Sequence, residues 1–557
     1  MTTSTPTIVI VGGVAGGASA ATRARRMNEQ AEIILFEKDE HVSFANCGLP
    51  YHIGEEIPNR ADLLVATPEF LAKRFRIDVR VRQEVLSIDR ERKVVAVRIT
   101  NGDGDAEYTE QSYDKLILAP GASPLVPPLD GVDAPNVLTL RNLRDTDRIK
   151  AIVDRDSTKR ALVVGAGFIG LEMVEQLVRR DVATTLVELQ PQVLPLLDSE
   201  MAKPIEQELV RHDVALHLGV GMERIIQNED GVAIAGELVD GTRIETDLVI
   251  LGIGVRPNIS LAKEAGLEIG AGGGIATNDF MQTSDDDIYA VGDAAEYPYT
   301  PGNTRMRIAL AGPANRAGRL AGEHAATGRS GTMPGVLGTS AVRVFDVSVA
   351  MTGLTNRLAE RMKRDAKSVT IITKHHAGYF PGAEMMTLKL VYSPDDGTIL
   401  GAQVVGGAGV DKRVDVIATA MHFKGTVRDL AGVDLAYAPP FGSAKDPVHL
   451  AAFVACNQLD GIETLADADS DLAGKQVVDV RTDAEVENAP LKGVDSVVHI
   501  PVDELRDRVD ELDAGKETVV SCAVGIRGHI ASRILKQNGF NVSNLSGGAT
   551  VRNRVFN

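Results

Sequence analysis

Residues 7–17 read TIVIVGGVAGG, a short run of β-branched residues that leads directly into a glycine-rich turn. An Ala- and Arg-rich segment to about Met27 follows, and the next apolar run, Ile33 to Glu37, ends in an acid. This order predicts a strand, a turn, a helix and a second strand. It is the dinucleotide-binding unit, in which the helix N-terminus offers free amides to a pyrophosphate and Glu37 accepts hydrogen bonds from ribose hydroxyls.

The same plan recurs later in the chain. Residues 160–170 read RALVVGAGFIG and are followed by a helix to about Arg180 and a strand from Thr184 to Glu188. This second copy has the full G-x-G-x-x-G pattern, whereas the first has Val14 at the middle position. Two copies predict two bound dinucleotides. Glu188 would repel a 2′-phosphate, which favours NADH, although Arg179 and Arg180 leave NADPH open.

Composition narrows the function classes. The 557 residues carry a formal net charge of −18, which argues against a general affinity for nucleic acid or anionic membrane. No apolar stretch is long enough to span a bilayer, and no Lys or Arg precedes Arg23, as a signal peptide would need. Three cysteines suit a reducing compartment. We therefore expect a cytoplasmic protein of several domains, and we predict no metal site.

Two further segments fit a pair of nucleotide units. Residues 115–124, KLILAPGASP, read as a strand and a glycine turn, and residues 288–295, IYAVGDAA, read as a strand that ends at Gly292 and Asp293. With these segments the sequence resembles the pyridine nucleotide-disulfide oxidoreductases. The resemblance implies FAD in the first unit and NADH in the second, with Asp293 on the flavin ribityl chain; alone, Asp293 could be only a helix N-cap.

The resemblance also implies cofactor-binding residues in both units. Those for FAD are Gly12, Val14, Ala15, Gly17, Glu37, Lys38, Asn46, Gly121, Gly292, Asp293 and Ala311. Those for NAD are Gly165, Gly167, Phe168, Ile169, Gly170, Glu188 and Gly254.

A candidate redox cysteine, Cys47, lies in residues 43–51, SFANCGLPY. A cysteine is often inert packing, but we expect an adjoining helix N-terminus to lower the pKa of this thiol. A thiolate there could exchange with a disulfide, persulfide or peroxide. Dithiol members of the family carry a second cysteine five positions on, where this chain has His52, so Cys47 is predicted to act without a local partner. A helical histidine is more often structural than a proton donor.

The same segment is similar to the single-cysteine branch of the family, which contains coenzyme A disulfide reductases, NADH-dependent persulfide reductases, and NADH oxidases or peroxidases. Oxidases and peroxidases carry a histidine where this chain has Ala15, so the resemblance favours sulfur chemistry. Without the resemblance, Arg23 and Arg26 could simply form a solvated basic helix face. The resemblance implies that coenzyme A is bound by Ser19, Arg23, Arg26, Ser43 and Asn46.

Residues from about 338 to 455 change character. Ser368–Thr373 and Thr387–Val391 alternate as strands, and residues 394–397, PDDG, predict a hairpin turn. This part resembles the antiparallel dimerisation domain of the same family, which implies a homodimer. Tyrosine in a sheet domain is ordinarily core or interface. The resemblance instead implies catalytic roles across the dimer for Tyr379 and Tyr437, and a substrate contact for Lys445.

The last part of the chain starts a fresh α/β pattern. Its marks are Asp479-Val-Arg481 after one strand, and residues 522–527, CAVGIR, between a strand and a helix. Residues from about 463 to 557 resemble a rhodanese domain with a six-residue active loop. A cup of backbone amides would stabilise a thiolate or persulfide on Cys522, and Arg527 would close the loop. Cys456 follows an apolar run and is predicted to be structural.

The predicted fold is α/β, with two Rossmann-like domains, an α+β dimerisation domain and a C-terminal α/β rhodanese domain. The predicted ranges are 1–150 and 273–337 for the FAD-binding domain, 151–272 for the NAD-binding domain, 338–455 for the dimerisation domain, 456–462 for a linker and 463–557 for the rhodanese domain.

The leading hypothesis for function is an FAD-dependent, NADH-oxidising reductase of persulfides, polysulfides, coenzyme A disulfide or coenzyme A persulfide. Cys47 would be its redox cysteine, and Cys522 would carry or deliver sulfane sulfur. One alternative is a rhodanese-type sulfurtransferase whose flavoprotein part resets a carrier thiol. The others are a rhodanese unit that serves only as an interaction module, and an NADH oxidase or peroxidase.

Overall fold

The computed structural model describes residues 6–100 and 106–556. They divide into two units. The first contains the described residues up to Pro191 together with Asp213–Gly338, and the second contains Gln192–His212 and the described residues from Thr339 onward. The predicted domains that begin at residue 1 and end at residue 557 extend beyond the described ranges.

The first half of the chain contains the two glycine-rich turns and the strands around them. Its first elements are β1 (Thr7–Val11), α1 (Gly16–Met27), β2 (Glu32–Glu37), β3 (Ser43–Phe44), α2 (Leu49–Ile53), β4 (Leu64–Ala66), α3 (Pro68–Phe75), β5 (Asp78–Val81), β6 (Gln83–Asp89), β7 (Val94–Thr100), β8 (Ala106–Ser112), β9 (Lys115–Leu118), β10 (Ala122–Pro124), β11 (Val137–Leu138) and α4 (Leu143–Val153). They are followed by β12 (Arg160–Val164), α5 (Phe168–Val178), β13 (Ala183–Glu188), α6 (Ser199–Arg211), β14 (Ala215–Leu218), β15 (Met222–Gln227), β16 (Ala233–Leu238), β17 (Arg243–Glu245), β18 (Leu248–Leu251), β19 (Val255–Pro257), α7 (Ser260–Glu264), β20 (Ile288–Ala290), β21 (Glu296–Tyr299), β22 (Thr304–Arg307) and α8 (Ala311–Thr327).

The second half contains two more sheets. Its elements are β23 (Ser340–Val344), β24 (Val347–Gly353), α9 (Asn356–Arg361), β25 (Lys367–Lys374), β26 (Met385–Tyr392), β27 (Ile399–Gly406), α10 (Val410–His422), α11 (Val427–Ala431), α12 (Pro447–Leu459), β28 (Leu465–Ala466), β29 (Gln476–Asp479), α13 (Asp483–Asn488), β30 (Val498–His499), β31 (Thr518–Ser521), α14 (Ile526–Gln537), β32 (Val542–Leu545) and α15 (Gly548–Val555). Short 3-10 helices lie at Asn46–Gly48, Arg60–Leu63, Gly292–Ala294 and Val509–Glu511.

Two parallel sheets carry the glycine-rich turns of the first unit. The first has the order β20-β9-β1-β2-β5, and the second has the order β11-β18-β12-β13-β14. Helix α1 packs along α8 and covers the first sheet. Both faces of a parallel sheet are buried, which explains why Ile8, Val9 and Ile10 form one continuous, fully buried apolar run.

The last glycine of each turn is required by close packing. A Cβ atom on Gly17 would lie 1.8 Å from the Gly12 carbonyl oxygen, and one on Gly170 would lie 1.9 Å from the Gly165 carbonyl oxygen. The helix can therefore approach its strand only through glycine. The two copies found in the sequence share this packing as well as their order.

Two further five-stranded sheets belong to the second unit. The first is antiparallel with the order β23-β24-β27-β26-β25, and the PDDG segment joins β26 to β27. The second is parallel with the order β28-β32-β31-β29-β30. These sheets, with the two parallel sheets of the first unit, confirm the predicted fold class.

The structure differs from the predicted domain boundaries at several points. Strand β11 joins the second parallel sheet before residue 151, and Ala262 and Leu267 already belong to the core of the first sheet. Residues 192–212, including α6, belong to the second unit. Helix α12 continues to Leu459, so the predicted 456–462 linker begins inside a helix.

A buried ion cluster explains why α6 belongs to the second unit. The ammonium of Lys389 on β26 lies 2.8 Å from Asp198 Oδ2 and also contacts Glu200 at the start of α6. Gln403 on β27 donates a further hydrogen bond of 2.7 Å to Asp198. Burial alone would raise the pKa of Asp198, but Lys389 and Gln403 outweigh it, and the net pKa is lowered.

Over residues 6–100 and 106–556, the structure contains no helix with both the length and the apolar character needed to cross a bilayer.

The cluster around Lys389 gives a stability prediction. Lys389→Met leaves the Asp198 and Glu200 carboxylates buried without their cation, and we expect a loss of about 3 to 5 kcal/mol in the free energy of unfolding. Without the cation, burial raises the pKa of Asp198, so the deficit should be larger at pH 8 than at pH 5. Urea unfolding at pH 5 and at pH 8 measures this loss of stability. Lys367→Met, at an exposed position of β25, is the control; equal deficits in the two variants would contradict the prediction.

Candidate active site

A cavity of about 1130 Å³ lies in the first unit, beside the first glycine-rich turn. The predicted FAD residues that line it are Gly12, Val14, Ala15, Glu37, Lys38, Asn46, Gly121, Gly292, Asp293 and Ala311. Gly17 is not among the lining residues because it packs against Gly12. The structure therefore brings residues from distant parts of the chain around one cavity large enough for a dinucleotide.

The two predicted ribose-binding acids occupy equivalent positions. Glu37 accepts hydrogen bonds from the amides of Gly13 (2.9 Å) and Asp39 (3.1 Å), and Glu188 accepts from Ala166 (2.7 Å) and Gln190 (2.8 Å). Burial raises the pKa of Glu37, and these amides lower it in part. Each acid holds its own glycine-rich turn, a role that the sequence did not predict. Their contacts to ribose remain a prediction.

Asp293 lies inside the 3-10 helix Gly292–Ala294, whose N-cap is Val291, so it is not the helix N-cap. Its carboxylate lies 3.1 Å from the guanidinium of Arg141, which also lines the cavity. The Asn46 side chain donates a 2.8 Å hydrogen bond to the Arg141 carbonyl. Sequence analysis missed Arg141, since no motif surrounds it. It gives an otherwise acidic chain a local cation beside the cavity.

Cys47 lies in the 3-10 helix just before α2, and its side chain is exposed and lines the cavity. The pKa of its thiol is raised by desolvation and by the carboxylates of Glu172 and Asp293, against a lowering by Arg141. The prediction of a lowered thiol pKa is therefore wrong for the protein's own residues. Helix α2 has five residues, and its end does not outweigh two carboxylates.

Helix α2 connects the Cys47 segment to the second glycine-rich turn. Tyr51 on α2 donates a 3.1 Å hydrogen bond to Glu172 on α5, and Arg180 donates one of 3.0 Å to the Ile53 carbonyl. Because α5 starts at the second turn, the cysteine and the predicted NAD site share a rigid connection. His52 is buried with Nδ1 2.7 Å from the Ile57 carbonyl oxygen, as expected for a structural histidine.

The second turn leaves room for a pyrophosphate. A Cβ atom on Gly167 would meet no atom within 4 Å, so open space lies in front of the first residues of α5, Phe168 and Ile169. Gly165 packs against Gly252, and Gly254 follows on the same loop with φ +112°. This open cradle at a helix N-terminus fits a dinucleotide. The structure thus groups the predicted NAD residues, and their contacts to the cofactor stay predictions.

The residues predicted to hold coenzyme A already have protein partners. On α1, Ser19 donates to Asn315 (2.6 Å) and Arg23 pairs with Glu323 through Nε (2.9 Å). Arg26 lies 5.9 Å from the centre of the Phe75 ring. Of the other two, Ser43 is buried on β3, and Asn46 bonds to a carbonyl. A phosphate would have to draw Arg23 away from Glu323.

In the second unit, Tyr379 and Tyr437 meet with their hydroxyl oxygens 3.1 Å apart. Tyr379 is 78% exposed and Tyr437 is 49% exposed, so neither is a core residue. Their hydrogen bond raises the pKa of Tyr379. Lys445 is exposed beside Asp446, whose buried carboxylate pairs with Arg413. The catalytic and substrate roles of these residues remain predictions.

Cys522 follows β31 directly, and 1% of it is exposed. The amide of Gly525 donates a hydrogen bond of 3.1 Å to its sulfur, and α14 begins at the next residue. The backbone carbonyl of Cys522 accepts a hydrogen bond of 2.7 Å from the Ala549 amide. One amide, that of Gly525, thus donates to the sulfur, and the full cup of amides around a thiolate or persulfide stays a prediction.

Arg527 is anchored by an acid that the sequence analysis missed. Its guanidinium donates two hydrogen bonds, of 2.7 and 2.6 Å, to Glu485 on α13. Arg527 and the Thr482 amide lower the pKa of Glu485 to about 2, so the pair stays charged. Arg527 also interacts with the Cys522 sulfur. The sequence predicted that Arg527 lies at the start of a helix. It did not indicate the partner Glu485, which lies 42 residues earlier in the chain.

A cluster of metal-ligand types occurs in the second unit. Glu208, His212 and Asp346 bring three ligand-type atoms within 4.8 Å of one another. The Glu208 carboxylate already accepts a 3.0 Å hydrogen bond from the Asp346 amide and pairs with Arg211. We assign no metal there.

Three family models match the chain. Residues 6–318 match the pyridine nucleotide-disulphide oxidoreductases, residues 339–447 match the dimerisation domain of that family, and residues 464–551 match the rhodanese-like domain. The chain belongs to the pyridine nucleotide-disulphide oxidoreductases and carries a rhodanese-like domain. It is therefore an enzyme that uses FAD and NAD(H), as predicted.

Similar proteins agree with these matches. A coenzyme A disulfide reductase of Staphylococcus aureus (strain bovine RF122 / ET3-1) is 37% identical over 455 residues, which cover 81% of this chain and all of that protein. The crystal structure of reduced Bacillus anthracis CoADR-RHD is 43% identical, with a TM-score of 0.95, over 99% of this chain and 98% of that one. An NAD-dependent persulfide reductase from A. fulgidus is 35% identical, with a TM-score of 0.88, over 98% and 99%.

The two glycines of the second turn give a paired prediction. Gly167→Ala adds a methyl group into open space, so we expect an unchanged melting temperature and a KM for NADH raised roughly tenfold, the size expected when a close backbone approach is lost. Gly170→Ala places its methyl group against the Gly165 carbonyl oxygen and should lower the melting temperature. Steady-state kinetics and thermal unfolding of both variants measure this. A lower melting temperature for Gly167→Ala with an unchanged KM would contradict the assignment.

Proposed function

We propose that the protein is an NADH-oxidising, FAD-dependent reductase of persulfides, polysulfides, coenzyme A disulfide or coenzyme A persulfide, with Cys47 as its redox cysteine and Cys522 as a carrier of sulfane sulfur. The observation that carries the proposal is the position of Cys47. It is the cysteine that lines the cavity assigned to FAD, and position 52 offers no second thiol.

Cys47 can act as the nucleophile toward a sulfur–sulfur bond. Its thiolate attacks the bond, a mixed disulfide or persulfide forms on Cys47, and the other sulfur leaves as a thiol. The bound flavin would supply two electrons taken from NADH to free Cys47 again. For a persulfide the sum is RSSH + NADH + H⁺ → RSH + H₂S + NAD⁺, and for a disulfide it is RSSR + NADH + H⁺ → 2 RSH + NAD⁺.

The surroundings of Cys47 favour its protonated thiol over its thiolate. Desolvation by burial, followed by the carboxylates of Glu172 and Asp293, raises the pKa of the Cys47 thiol, while Arg141 lowers it. The protonated thiol escapes this repulsion, and the thiolate that attacks a sulfur–sulfur bond forms only when the proton is lost. The nearby Arg141 is the residue placed to favour the thiolate. This balance supports chemistry in which the thiolate exists briefly and reacts with sulfur.

The rhodanese-like domain adds a second sulfur site. The Gly525 amide and the Arg527 guanidinium both face the Cys522 sulfur, an environment that stabilises a thiolate or persulfide anion. The similarity to a persulfide reductase extends over 98% of the chain and so includes this domain. We propose that Cys522 accepts sulfane sulfur from a donor and passes it to the thiol that Cys47 acts on.

A homodimer is part of the proposal. The chain carries a dimerisation domain. The exposed Tyr379 and Tyr437 pair lies in that part of the chain, where phenol hydroxyls could protonate a leaving thiolate of the partner subunit's site.

One assay separates the substrate classes. Anaerobic NADH consumption with coenzyme A persulfide and coenzyme A disulfide, offered side by side, should be faster with the persulfide and should release sulfide stoichiometrically. Faster turnover on the disulfide with no sulfide would make the protein a thiol-pool reductase. Consumption of oxygen by NADH alone, without any sulfur substrate, would favour the NADH oxidase alternative.

The three cysteines provide matched variants. Cys47→Ser should reduce NADH-dependent turnover below about one thousandth of the wild-type rate while FAD absorbance is retained, because the nucleophile is lost and the cavity is not. Cys456→Ser, on α12 and outside the proposed chemistry, is the control and should keep the wild-type rate. Turnover retained by Cys47→Ser would refute the mechanism.

Cys522→Ser tests the second sulfur site. We expect it to slow sulfide release from sulfane sulfur donors about tenfold or more and to leave coenzyme A disulfide reduction unchanged, because only the carrier is removed. The sulfurtransferase alternative holds if sulfur transfer from thiosulfate to cyanide is instead the main activity of the protein and Cys522→Ser abolishes it. If no sulfur reaction changes, the rhodanese-like domain is an interaction module.

A further inference from the structure

A buried polar cluster lies behind the Cys522 loop and is not explained by the chemistry above. It consists of Glu463, Ser532 and Asn544, each 3 to 4% exposed. Asn544 lies on β32, which pairs with β31, the strand that Cys522 follows. A buried carboxylate is costly unless it is paired and hydrogen-bonded, so its retention beside a reactive loop needs a reason.

The cluster holds the turn that contacts the sulfur. Gly525 donates its amide to Cys522 Sγ at 3.1 Å and has φ +101°, a conformation that favours glycine. The Gly525 carbonyl accepts a 3.1 Å hydrogen bond from Asn544 Nδ2 and a 2.9 Å hydrogen bond from the His529 amide. One side of Gly525 therefore faces the sulfur, and the other is held by Asn544.

Asn544 is fixed in turn by Glu463. Its second Nδ2 hydrogen goes to Glu463 Oε1 at 2.8 Å, and Ser532 donates to the same oxygen at 3.4 Å. Glu463 Oε2 lies 2.9 Å from Nδ1 of His529, and this contact raises the pKa of the histidine. Both donor hydrogens of the amide are thus directed, and the side chain has one orientation that satisfies both acceptors.

We propose that Asn544, anchored by Glu463, is a positioning residue for the sulfur site. It fixes the Gly525 turn so that the amide points at the Cys522 sulfur and stabilises its anionic form. The inference rests on the proposed sulfur-carrying role of Cys522 and adds the residues that act through Gly525. Arg527, which also interacts with this sulfur, does not depend on the cluster.

The test is a thiolate titration of Cys522 in the full-length protein, taken as the ultraviolet difference between each variant and the same variant carrying Cys522→Ser. In Asn544→Ala we expect the titration midpoint to rise by roughly half to one pH unit, since one hydrogen bond to the anion is loosened. Sulfur transfer from a small organic persulfide to Cys522, measured by mass spectrometry, should become roughly threefold to tenfold slower. Coenzyme A disulfide reduction should not change.

Asn553→Ala is the matched control. That asparagine donates to the Pro490 carbonyl and accepts from the Lys492 amide in the same domain, away from the active loop's own bonds. A purely structural role would lower the melting temperature in both variants and shift the midpoint in neither, which would overturn the inference. Glu463→Gln keeps an acceptor oxygen but loses the charge, so it should shift the titration midpoint in the same direction by a smaller amount. If Asn544→Ala does not fold, this second variant tests the positioning role.

Failure of the proposed function would look different. If Cys522→Ser leaves every sulfur reaction unchanged, the carrier role fails, while the titration midpoint still reports whether Asn544 tunes the thiol. If the carrier role holds and the midpoint of a folded Asn544→Ala equals that of the wild type, only the positioning role fails.

Discussion

The structure of the cofactor site depends on two backbone contacts with no room for a side chain. Gly17 sits against the Gly12 carbonyl and Gly170 against the Gly165 carbonyl, so each helix starts directly above the strand that precedes it. This places the free amides of the helix start at the edge of the sheet, where Glu37 and Glu188 then tie each turn through amide hydrogen bonds. The cavity, the approach of α2 and the location of Cys47 follow from these fixed turns.

Much of this arrangement could be predicted because its signals are local. A strand, a glycine turn, a helix and an acid occur within one short stretch, and the CAVGIR loop carries its cysteine and arginine within six residues. The partners of these residues could not be predicted, since Arg141, Glu172 and Glu485 reach their sites from distant elements without any motif. The predicted direction of the Cys47 pKa shift was wrong because burial of the thiol raises its pKa, as do carboxylates from α5 and the Gly292–Ala294 segment. The predicted domain boundary missed α6 for the same reason. Glu200 at the start of this helix pairs with Lys389, which lies 189 residues further along the chain.

Cys47 and Cys522 both lie close to the start of a helix, but their surroundings differ. Cys47 is open to a cavity and faces carboxylates that disfavour its anion. Cys522 is buried, receives an amide hydrogen bond and faces a guanidinium. A helix start alone therefore does not decide thiol chemistry. Burial and the charged side chains that other elements bring close to each sulfur also shape its surroundings.

Three arginines at the candidate sites are paired with carboxylates of the chain itself. Arg23 is bound to Glu323, Arg141 to Asp293 and Arg527 to Glu485, each within about 3 Å. Without these carboxylates, the three arginines would be isolated cations in a chain with net charge −18, and any small anion could bind them. An anionic ligand must replace a carboxylate that is already well placed, so weak single contacts gain little.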